Sequence, residues 1–407
     1  MKRPIVLVCL LLASSITAAT ARGAEVVRFA TFNASLNRDQ PGGLVHDLKT
    51  PDSAQAKNVA EIIQRNAPDI LLINEFDYDS DGRAVELFQK NYLGVSQNGA
   101  KAIVYPYRFI AEVNTGIPSG FDLDNDGQID VKVGSRGYGN DALGFGQFPG
   151  QYGMVVYSKF PIKARDVRQF HKVLWKDMPG ALLPAEANGT PWYTPQELGV
   201  LRLSSKSHWD VPIEVDGKTI HVLVSHPTPP AFDGPEHRNG KRNHDEIRLW
   251  ADYLSGGAKA AYVWGPRPAG SQPPPPPESF VVMGDLNADP NDGGGVPGAI
   301  DQLLKHPRVD ASLVPRSEGA AEASRLQAGA NLKQTGPPEQ DTADFDDRSV
   351  GNLRADYVLP SKDLKPVGGG VFWPPTSDPL SRLVKMDPAA SSDHRLVYLD
   401  IQVGDEK

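Results

Sequence analysis

The sequence predicts an α/β protein built around a mixed β-sheet. Apolar, β-branched runs of strand length alternate along the chain with segments whose apolar residues recur at helical spacing. Polar side chains stand at the ends of some predicted strands and at the beginnings of others. Because antiparallel neighbours in a mixed sheet bring strand ends and strand beginnings to one edge, we expect a cluster of polar side chains along one rim.

The composition is that of a globular protein that builds its own core. The chain has 407 residues, of which 40% are hydrophobic and 23% are charged. Residues 1–21 have the features of a secretory signal peptide, with Lys2 and Arg3 before an apolar run and small residues at the cleavage site. The one cysteine, Cys9, lies within that segment. We therefore expect a secreted or periplasmic protein without disulfide bonds.

The net charge limits the binding partners that the sequence supports. A formal net charge of −8 gives no overall attraction to nucleic acid or to an anionic membrane. A nuclease is still compatible with this charge, because an enzyme that turns over needs only a local positive groove at its site. The apolar run within residues 1–21 is too short to span a bilayer. We expect a monomer that does not insert into a membrane and has no protein partner.

Several predicted strands lead directly into polar residues. These strands cover residues 26–33, 70–75, 220–224 and 280–283, and they lead to Asn33, Glu75, His226, and the pair Asp285 and Asn287. One acidic residue after one strand commonly starts a loop or a helix. Here several strands end in the same way, and this repetition favours a site.

Asp285 and Asn287 form the most informative pair. They are two residues apart, so an extended backbone points both side chains to the same face. A carboxylate can align or deprotonate a water molecule while a neighbouring amide donates a hydrogen bond to the oxyanion, and this combination suits hydrolysis. A strand closed by an Asx-type turn explains an isolated pair of this kind equally well, so the other rim residues must decide.

Two later strands begin with polar residues. Asp356 stands near the start of the strand predicted over 354–359, and Asp393 and His394 precede the closing strand at 395–401. Further strands are predicted near 102–105, 151–157 and 199–203.

Helices are predicted where apolar residues recur three and four positions apart. Asp52 or Ser53 caps a helix that Pro68 ends, and another helix covers about 83–92. A third helix lies within 237–254, where one apolar stripe faces the core.

Basic residues concentrate at the start of this third helix. They are Arg238, Lys241, Arg242 and Arg248. As a group that follows His226 closely in sequence they predict a phosphate-binding clamp, although charged helix ends are commonly plain solvated surface.

The segment 114–150, rich in Gly, Asp and Asn, contains a second candidate metal site. Asp122, Asp124, Asp126 and Asp130, with a glycine at position 127, have the spacing of oxygen ligands in a calcium loop. Val133 stands where the bidentate glutamate of such a loop would be, so the match is partial. A solvated acidic turn is the alternative.

Taken in order, these residues resemble the endonuclease/exonuclease/phosphatase superfamily. The resemblance rests on Asn33, Glu75, His226, Asp285 with Asn287, Asp356, and Asp393 with His394, and it covers one domain at about 26–403. It implies a four-layer α/β sandwich of two packed mixed β-sheets flanked by helices, with one divalent-metal site on the rim. The segment 114–150 is an insertion relative to small members of this family.

The resemblance also implies a role for each matched residue. Glu75 resembles the principal metal ligand, with Asn33 and Asp393 close to the ion directly or through water. Asp285 resembles the residue that positions or deprotonates the attacking water, and Asn287 the donor to the phosphoryl oxygen. His394 and Asp356 resemble a paired imidazole and carboxylate, and His226 is similar to a histidine placed against the scissile phosphate. The resemblance leaves open whether Asp285 or His394 takes the proton.

The function expected from this resemblance is an exported phosphodiesterase of nuclease type that uses Mg²⁺, Mn²⁺ or Ca²⁺. A phosphomonoesterase acting on nucleotides, inositol phosphates or sugar phosphates is the alternative enzyme. A phosphate-binding module that has lost catalysis is the alternative of a different class, but none of the matched rim residues is missing.

Overall fold

The computed structural model describes residues 25–266 and 271–404, so the predicted signal peptide at 1–21 lies outside the described residues. The strands are β1 (Glu25–Leu36), β2 (Ile70–Phe76), β3 (Tyr107–Phe109), β4 (Met154–Ser158), β5 (Arg168–Gln169), β6 (His208–Val215), β7 (Lys218–Ser225), β8 (Phe280–Asp285), β9 (Ala343–Asp344), β10 (Asn352–Leu353), β11 (Asp356–Pro360), β12 (Lys365–Val371) and β13 (Val397–Val403).

The α-helices are α1 (Gly43–Leu48), α2 (Ala54–Asn66), α3 (Arg83–Phe88), α4 (Arg136–Asn140), α5 (Pro195–Leu198), α6 (Arg238–Ser255), α7 (Asp301–Leu304) and α8 (Glu318–Gln327). No helix within the described part of the chain combines the length and the apolar character needed to cross a bilayer.

Two mixed sheets form the centre of the fold. One has six strands in the order β12-β13-β1-β2-β4-β3, and the other has five strands in the order β11-β8-β7-β6-β5. In each sheet one central pair is parallel, β1 with β2 and β7 with β8, and the remaining pairs are antiparallel. In each parallel pair the two strands end side by side, so the polar residues at their ends lie at one edge of the sheet. Strand β11 is antiparallel to β8, so its first residue lies at the same edge.

The two sheets pack face to face with helices outside, which gives the predicted four-layer α/β sandwich. The inner core contains Phe29 and Leu72 from one sheet and Val222 and Met283 from the other, all fully buried. Helices α1 to α3 cover the outer face of the six-stranded sheet, and α6 and α7 cover the outer face of the five-stranded sheet. Each sheet is thus apolar on both faces, so its polar side chains concentrate at the rim.

Two predicted helices form as their sequences indicate. Ser53 caps α2, because its hydroxyl accepts a hydrogen bond from the backbone N–H of Ala56. Helix α6 buries Ile247, Trp250 and Leu254 on the face that packs against the sheet.

Two predicted strands are wrong. Residues 102–105 form no strand because the Gln89 side chain bonds their backbone, donating to the carbonyl of Ile103 and accepting from the N–H of Tyr105, both at 3.0 Å. Residues 199–203 form a loop with a single bridge between Leu174 and Arg202.

Strand β6 was not predicted, since Asp210 and Pro212 interrupt its apolar alternation. Proline is tolerated there because the segment beside it uses the Pro212 carbonyl, which accepts from the N–H of Lys163 at 2.9 Å, and takes its own N–H donor from Glu214. Strand β1 runs past its predicted end at Asn33, through an irregular step in its pairing with β2.

The fully buried Asn74 joins the two sheets beside the rim. Its side-chain oxygen accepts hydrogen bonds from the backbone N–H of Asp285 and from the Thr31 hydroxyl, both at 3.3 Å, and its amide donates to the Ser225 carbonyl at 3.5 Å. The end of β2 is therefore fixed relative to the ends of β7 and β8.

The segment 114–150 packs on the loop that precedes β6. The backbone N–H of Asn114 donates to the Lys206 carbonyl at 2.9 Å, and its side chain donates to the Ser204 carbonyl at 2.7 Å. Gly144 lies so close to this loop that a Cβ atom there would be 1.8 Å from the Ser205 carbonyl oxygen. The insertion is thus a close-packed wall over residues 204–206.

Candidate active site

Asp285, at the end of β8, is the centre of the rim cluster. Its Oδ2 atom lies 3.1 Å from the amide nitrogen of Asn33, 3.2 Å from Nε2 of His226 and 3.6 Å from Nε2 of His394. Its Oδ1 atom accepts a hydrogen bond from the backbone N–H of Asn287 at 3.0 Å. Residues predicted separately from the sequence thus meet at one carboxylate.

The environment of Asp285 keeps its carboxylate ionised. The side chain is almost fully buried, and burial alone would raise its pKa. The imidazoles of His394 and His226 and the hydrogen bonds from His226 and Asn33 outweigh that effect, so the pKa of Asp285 lies well below its usual value. At neutral pH the site therefore contains a buried negative charge that can accept a hydrogen bond.

His394 and Asp356 form a buried pair beside this carboxylate. The Nδ1 atom of His394 lies 2.9 Å from Oδ2 of Asp356, which also accepts a hydrogen bond from the Thr342 hydroxyl at 2.8 Å. Burial lowers the pKa of His394, but the charges of Asp356 and Asp285 raise it well above its usual value. The Phe345 ring meets the imidazole edge to face at 5.3 Å. His394 is thus a fixed imidazolium whose Nε2 points toward Asp285.

Glu75 and Asp393 are the candidate oxygen ligands for a cation, and their charges interact. Burial and the negative charge of Asp393 raise the pKa of Glu75 to about 7, against the opposing effects of His394 and of the hydrogen bond from Asn33. Carboxylates brought together in this way favour a hard divalent cation, which neutralises both. The donor set therefore fits Mg²⁺ or Mn²⁺, and Glu75 and Asp393 would hold the ion.

Asn33 lies between Glu75 and Asp285. Its amide nitrogen donates to Glu75 and to Asp285, each at 3.1 Å, and its oxygen accepts from the backbone N–H of Ser35 at 3.2 Å. Asn33 thus links Glu75 to Asp285, and its place near an ion stays a prediction. The assignment of amide oxygen and nitrogen follows from this network of donors and acceptors.

His226 and Asn287 complete the rim. Burial and the charge of Lys206 lower the pKa of His226 to about 4, so its imidazole is neutral and donates from Nε2 to Asp285. The Nδ1 atom of His226 is buried without a hydrogen-bond partner among the described residues. The Asn287 amide donates one hydrogen bond to the Pro227 carbonyl at 3.2 Å, and its second N–H is available to an anionic ligand.

Comparison with known proteins agrees with this geometry. The model of the Endonuclease/Exonuclease/phosphatase family matches residues 30–394. The chain belongs to this family. Its members are metal-dependent phosphoric ester hydrolases, and the rim cluster is accordingly the candidate active site.

Solved structures of the family share the fold at low sequence identity. An endonuclease/exonuclease/phosphatase from Beutenbergia cavernae is 16% identical, with a TM-score of 0.50 over 95% of this chain and 73% of its own. Sphingomyelinase C from Streptomyces griseocarneus is 16% identical, with a TM-score of 0.41 over 92% and 99% of the two chains. Truncated TDP2 from Caenorhabditis elegans is 14% identical, with a TM-score of 0.42 over 93% and 98%. No curated protein sequence matches significantly.

The sequence did not indicate Lys206, a buried lysine whose charge interacts with Glu75 and Asp285. Its side chain is 7% exposed, and burial lowers its pKa while the carboxylates of Glu246, Glu75 and Asp285 oppose that shift. Glu246 of α6 fixes the surrounding loops, because it accepts hydrogen bonds from the backbone N–H groups of Ser205 and Thr228, both at 2.6 Å. The position of Lys206 depends on these distant contacts, so no local pattern indicates it.

The arginine side chains of the predicted phosphate clamp donate hydrogen bonds to backbone carbonyl groups. Arg242 donates to the carbonyls of Leu203, Leu143 and Arg202, and Arg248 donates to those of Pro179 and Gly180. Arg238 donates to the Leu123 carbonyl and lies over the Trp192 ring. For Lys241 the structure gives no such contact. The three guanidinium groups hold loops against α6, which argues against a clamp made of Arg238, Lys241, Arg242 and Arg248.

The acidic loop of the insertion brings together a different set of carboxylates from the predicted one. Carboxylate oxygens of Asp122, Asp124 and Asp141 lie within 4.8 Å of one another, whereas Asp126 and Asp130 are outside this group. Asp122 instead accepts hydrogen bonds from the backbone N–H groups of residues 126 and 127, the turn that a calcium loop requires. Calcium binding in this loop stays a prediction.

We expect His394→Ala and Asp356→Asn each to lower kcat by roughly 10² to 10⁴-fold, the range typical of a lost acid–base group. The double variant should lose little more than the more impaired single variant, because the two side chains act as a unit. Steady-state kinetics on one diester substrate measures this. His46 and Asp47 form an exposed pair at 3.3 Å and provide the matched control, in which His46→Ala and Asp47→Asn leave kcat unchanged. Losses that multiply in the double variant would show that His394 and Asp356 act separately.

We expect Ca²⁺ to raise the melting temperature by binding the acidic loop, since a ligand of the native state stabilises it. The measurement is calorimetry with and without Ca²⁺ in a Glu75→Gln background, which removes binding at the rim. The double variant Asp122→Asn, Asp124→Asn should lose the shift, and Asp126→Asn should keep it. An equal shift in all three proteins would place the ion elsewhere.

Proposed function

We propose that the protein is an exported phosphodiesterase of nuclease type that depends on Mg²⁺ or Mn²⁺. The observation that carries this proposal is the ionised Asp285 carboxylate, which lies between two imidazoles and is joined through Asn33 to Glu75. A carboxylate held in this way can orient a water molecule beside a phosphate bound at the adjacent cation site.

The charges of the two candidates favour Asp285 over His394 as the acceptor of the water proton. Asp285 is ionised, whereas His394 already carries its proton because Asp356 and Asp285 stabilise the imidazolium. Asp285 therefore holds the attacking water in line with the scissile bond. His394 then donates a hydrogen bond from Nε2 to an oxygen of the phosphoryl group as negative charge develops there.

Glu75 and Asp393 would hold a divalent cation beside Asp285, where the ion would neutralise the phosphate charge. Asn33 fixes the position of Glu75 relative to Asp285, because its amide donates a hydrogen bond of 3.1 Å to each carboxylate. Asn287 and Lys206 supply a neutral and a cationic donor for the remaining phosphate oxygens. Burial strengthens the attraction of the Lys206 ammonium group for an anion, because little water screens it.

Export is proposed from residues 1–21, whose charged start, apolar run and small residues match a signal peptide. The mass of the protein recovered outside the cytoplasm should correspond to a chain that has lost this segment. The full-length mass in that fraction would contradict cleavage.

We expect hydrolysis of bis-p-nitrophenyl phosphate and of plasmid DNA in Mg²⁺ or Mn²⁺, loss of both activities with EDTA, and slower hydrolysis of p-nitrophenyl phosphate. Glu75→Gln should fold and bind Mn²⁺ weakly in calorimetric titration, with nearly all activity lost, because a neutral amide replaces the strongest oxygen ligand. Glu86→Gln changes an exposed glutamate in the same way and is the matched control. Faster hydrolysis of the monoester would indicate a phosphomonoesterase. No hydrolysis of any of the three substrates would indicate a phosphate-binding module.

Lys206→Met should raise KM for a diester substrate and the inhibition constant of inorganic phosphate by roughly tenfold or more, because a charge-assisted hydrogen bond contributes about 1.5–3 kcal/mol. Lys172→Met removes an exposed lysine and is the control. An unchanged inhibition constant for phosphate in a folded Lys206→Met protein would show that Lys206 does not contact the substrate.

A further inference from the structure

The Phe345 side chain contacts an imidazole of the candidate active site and takes no part in the core. Its ring meets that of His394 edge to face, with 5.3 Å between the ring centroids and 79° between the ring planes. The ring is only partly buried, and it belongs to none of the three apolar clusters formed by the described residues. A large aromatic side chain commonly stabilises a protein by burial in such a cluster. The contact between Phe345 and His394 therefore needs another explanation.

Strand pairing places Phe345 beside His394. Ala343, in β9, forms an antiparallel bridge with His394. The backbone N–H of Asp344 donates to the Asp393 carbonyl at 2.8 Å, which fixes the distance between the two backbones. Side chains two residues apart on a strand lie on the same face, so the Phe345 ring follows the Ala343 side chain toward His394. The ring thus makes a diagonal cross-strand contact, which aromatic side chains are long enough to reach.

The residues after Phe345 form a turn that hydrogen bonds hold in place. The Asp346 carboxylate accepts hydrogen bonds from the backbone N–H and from the guanidinium group of Arg348, at 2.9 and 3.0 Å. The carbonyl of Asp347 accepts from the backbone N–H of Ala330 at 2.7 Å, which ties the turn to a neighbouring loop. The Phe345 ring therefore projects from a segment that is fixed on both sides.

Hydrogen bonding alone does not fix the orientation of the His394 ring. Its Nδ1 atom lies 2.9 Å from Oδ2 of Asp356, whereas its Nε2 atom lies 3.6 Å from Oδ2 of Asp285, beyond hydrogen-bond distance. A single hydrogen bond leaves the plane of the ring free to tilt, because the second side-chain dihedral of histidine has a broad energy minimum. The Phe345 ring stands against the imidazole at a defined angle and blocks this movement.

We propose that Phe345 is a positioning residue for His394, which holds the imidazole plane so that Nε2 faces the phosphoryl oxygen of the substrate. This role rests on the proposed function, in which His394 donates a hydrogen bond from Nε2 to that oxygen. The ring also keeps water from the buried pair of His394 and Asp356, where weak screening strengthens the attraction between the two charges. Phe345 thus acts on the reaction through His394 and not through contact with the substrate.

The test is steady-state kinetics with bis-p-nitrophenyl phosphate and Mn²⁺. Phe345→Ala and Phe345→Leu should lower kcat by roughly 10 to 100-fold, the scale of loss that a small displacement of a reacting group causes. KM and the inhibition constant of inorganic phosphate should stay unchanged, since Nε2 acts mainly as charge develops in the transition state. Phe345→Tyr keeps the ring and should retain most of the activity. In a His394→Ala background, Phe345→Ala should lower kcat no further.

Phe109 provides the matched control. Its ring meets that of Trp209 edge to face at 5.1 Å, and it lies on β3 at the edge of the six-stranded sheet. Phe109→Ala should lower the melting temperature and leave kcat unchanged, as expected of an aromatic contact that is structural only.

A measurement without substrate separates the role of Phe345 from the proposed function. The Nδ1–H proton of His394, bonded to Asp356, should give a low-field NMR signal that His394→Ala removes and that Phe345→Ala broadens through faster exchange with water. An unchanged kcat in folded Phe345→Ala, or losses that multiply in the double variant with His394→Ala, overturns the positioning role. A raised KM at unchanged kcat overturns it too, and shows that the ring contacts the substrate. A wild type that hydrolyses no diester refutes the proposed function, and the NMR signal alone then decides whether Phe345 positions His394.

Discussion

The structure of the site depends on one buried charge, the Asp285 carboxylate. Removing an isolated carboxylate from water costs several kcal/mol, so it persists only where hydrogen-bond donors and positive charge surround it. These partners come from three places, since Asn33 lies on the six-stranded sheet, His226 follows β7, and His394 precedes β13. The charge therefore fixes the relative position of both sheets and of the last loop. The same contacts that stabilise the charge align the side chains of the candidate active site.

Backbone conformation contributes to the same alignment. Glu75 and Asn287 both have positive φ, 57° and 51°, a conformation that costs free energy in residues with side chains. Each stands where the chain leaves a strand. The change of direction turns Glu75 toward Asp393, and it lets the Asn287 N–H bond the Asp285 carboxylate. The surrounding sheets hold these conformations in place, as is common at functional sites.

The sequence predicted the parts of this site that are determined by neighbouring residues in the chain. Glu75, Asp285 and Asp356 were found because apolar strands flank them directly, and the ends of such strands meet at a rim. The Ser53 cap of α2 and the buried apolar face of α6 were likewise predicted from residues close together in the sequence.

The parts that depend on distant contacts were missed or misread. Lys206 reaches the site only because Glu246, 40 residues later, holds its loop. Arg242 and Arg248 were misread because carbonyl groups that accept their hydrogen bonds leave no pattern in the sequence. Similarly, the Gln89 side chain replaced a strand partner at 102–105, and no periodicity of those residues indicates that.

The segment 114–150 connects the acidic loop to the loop that carries Lys206. Asp141 accepts hydrogen bonds from the backbone N–H groups of Leu123 and Asp130, both at 2.8 Å, so it ties the two ends of the acidic loop together. Three residues later the chain reaches Gly144, which presses on the Ser205 carbonyl immediately before Lys206. Close-packed contacts of this kind transmit displacement, because no void absorbs it. The segment 114–150 thus shields the loop that carries Lys206 from water, and weak screening by water would strengthen the attraction of its ammonium group for an anion. The segment 114–150 is therefore connected by close packing to the buried lysine that we propose contacts the substrate.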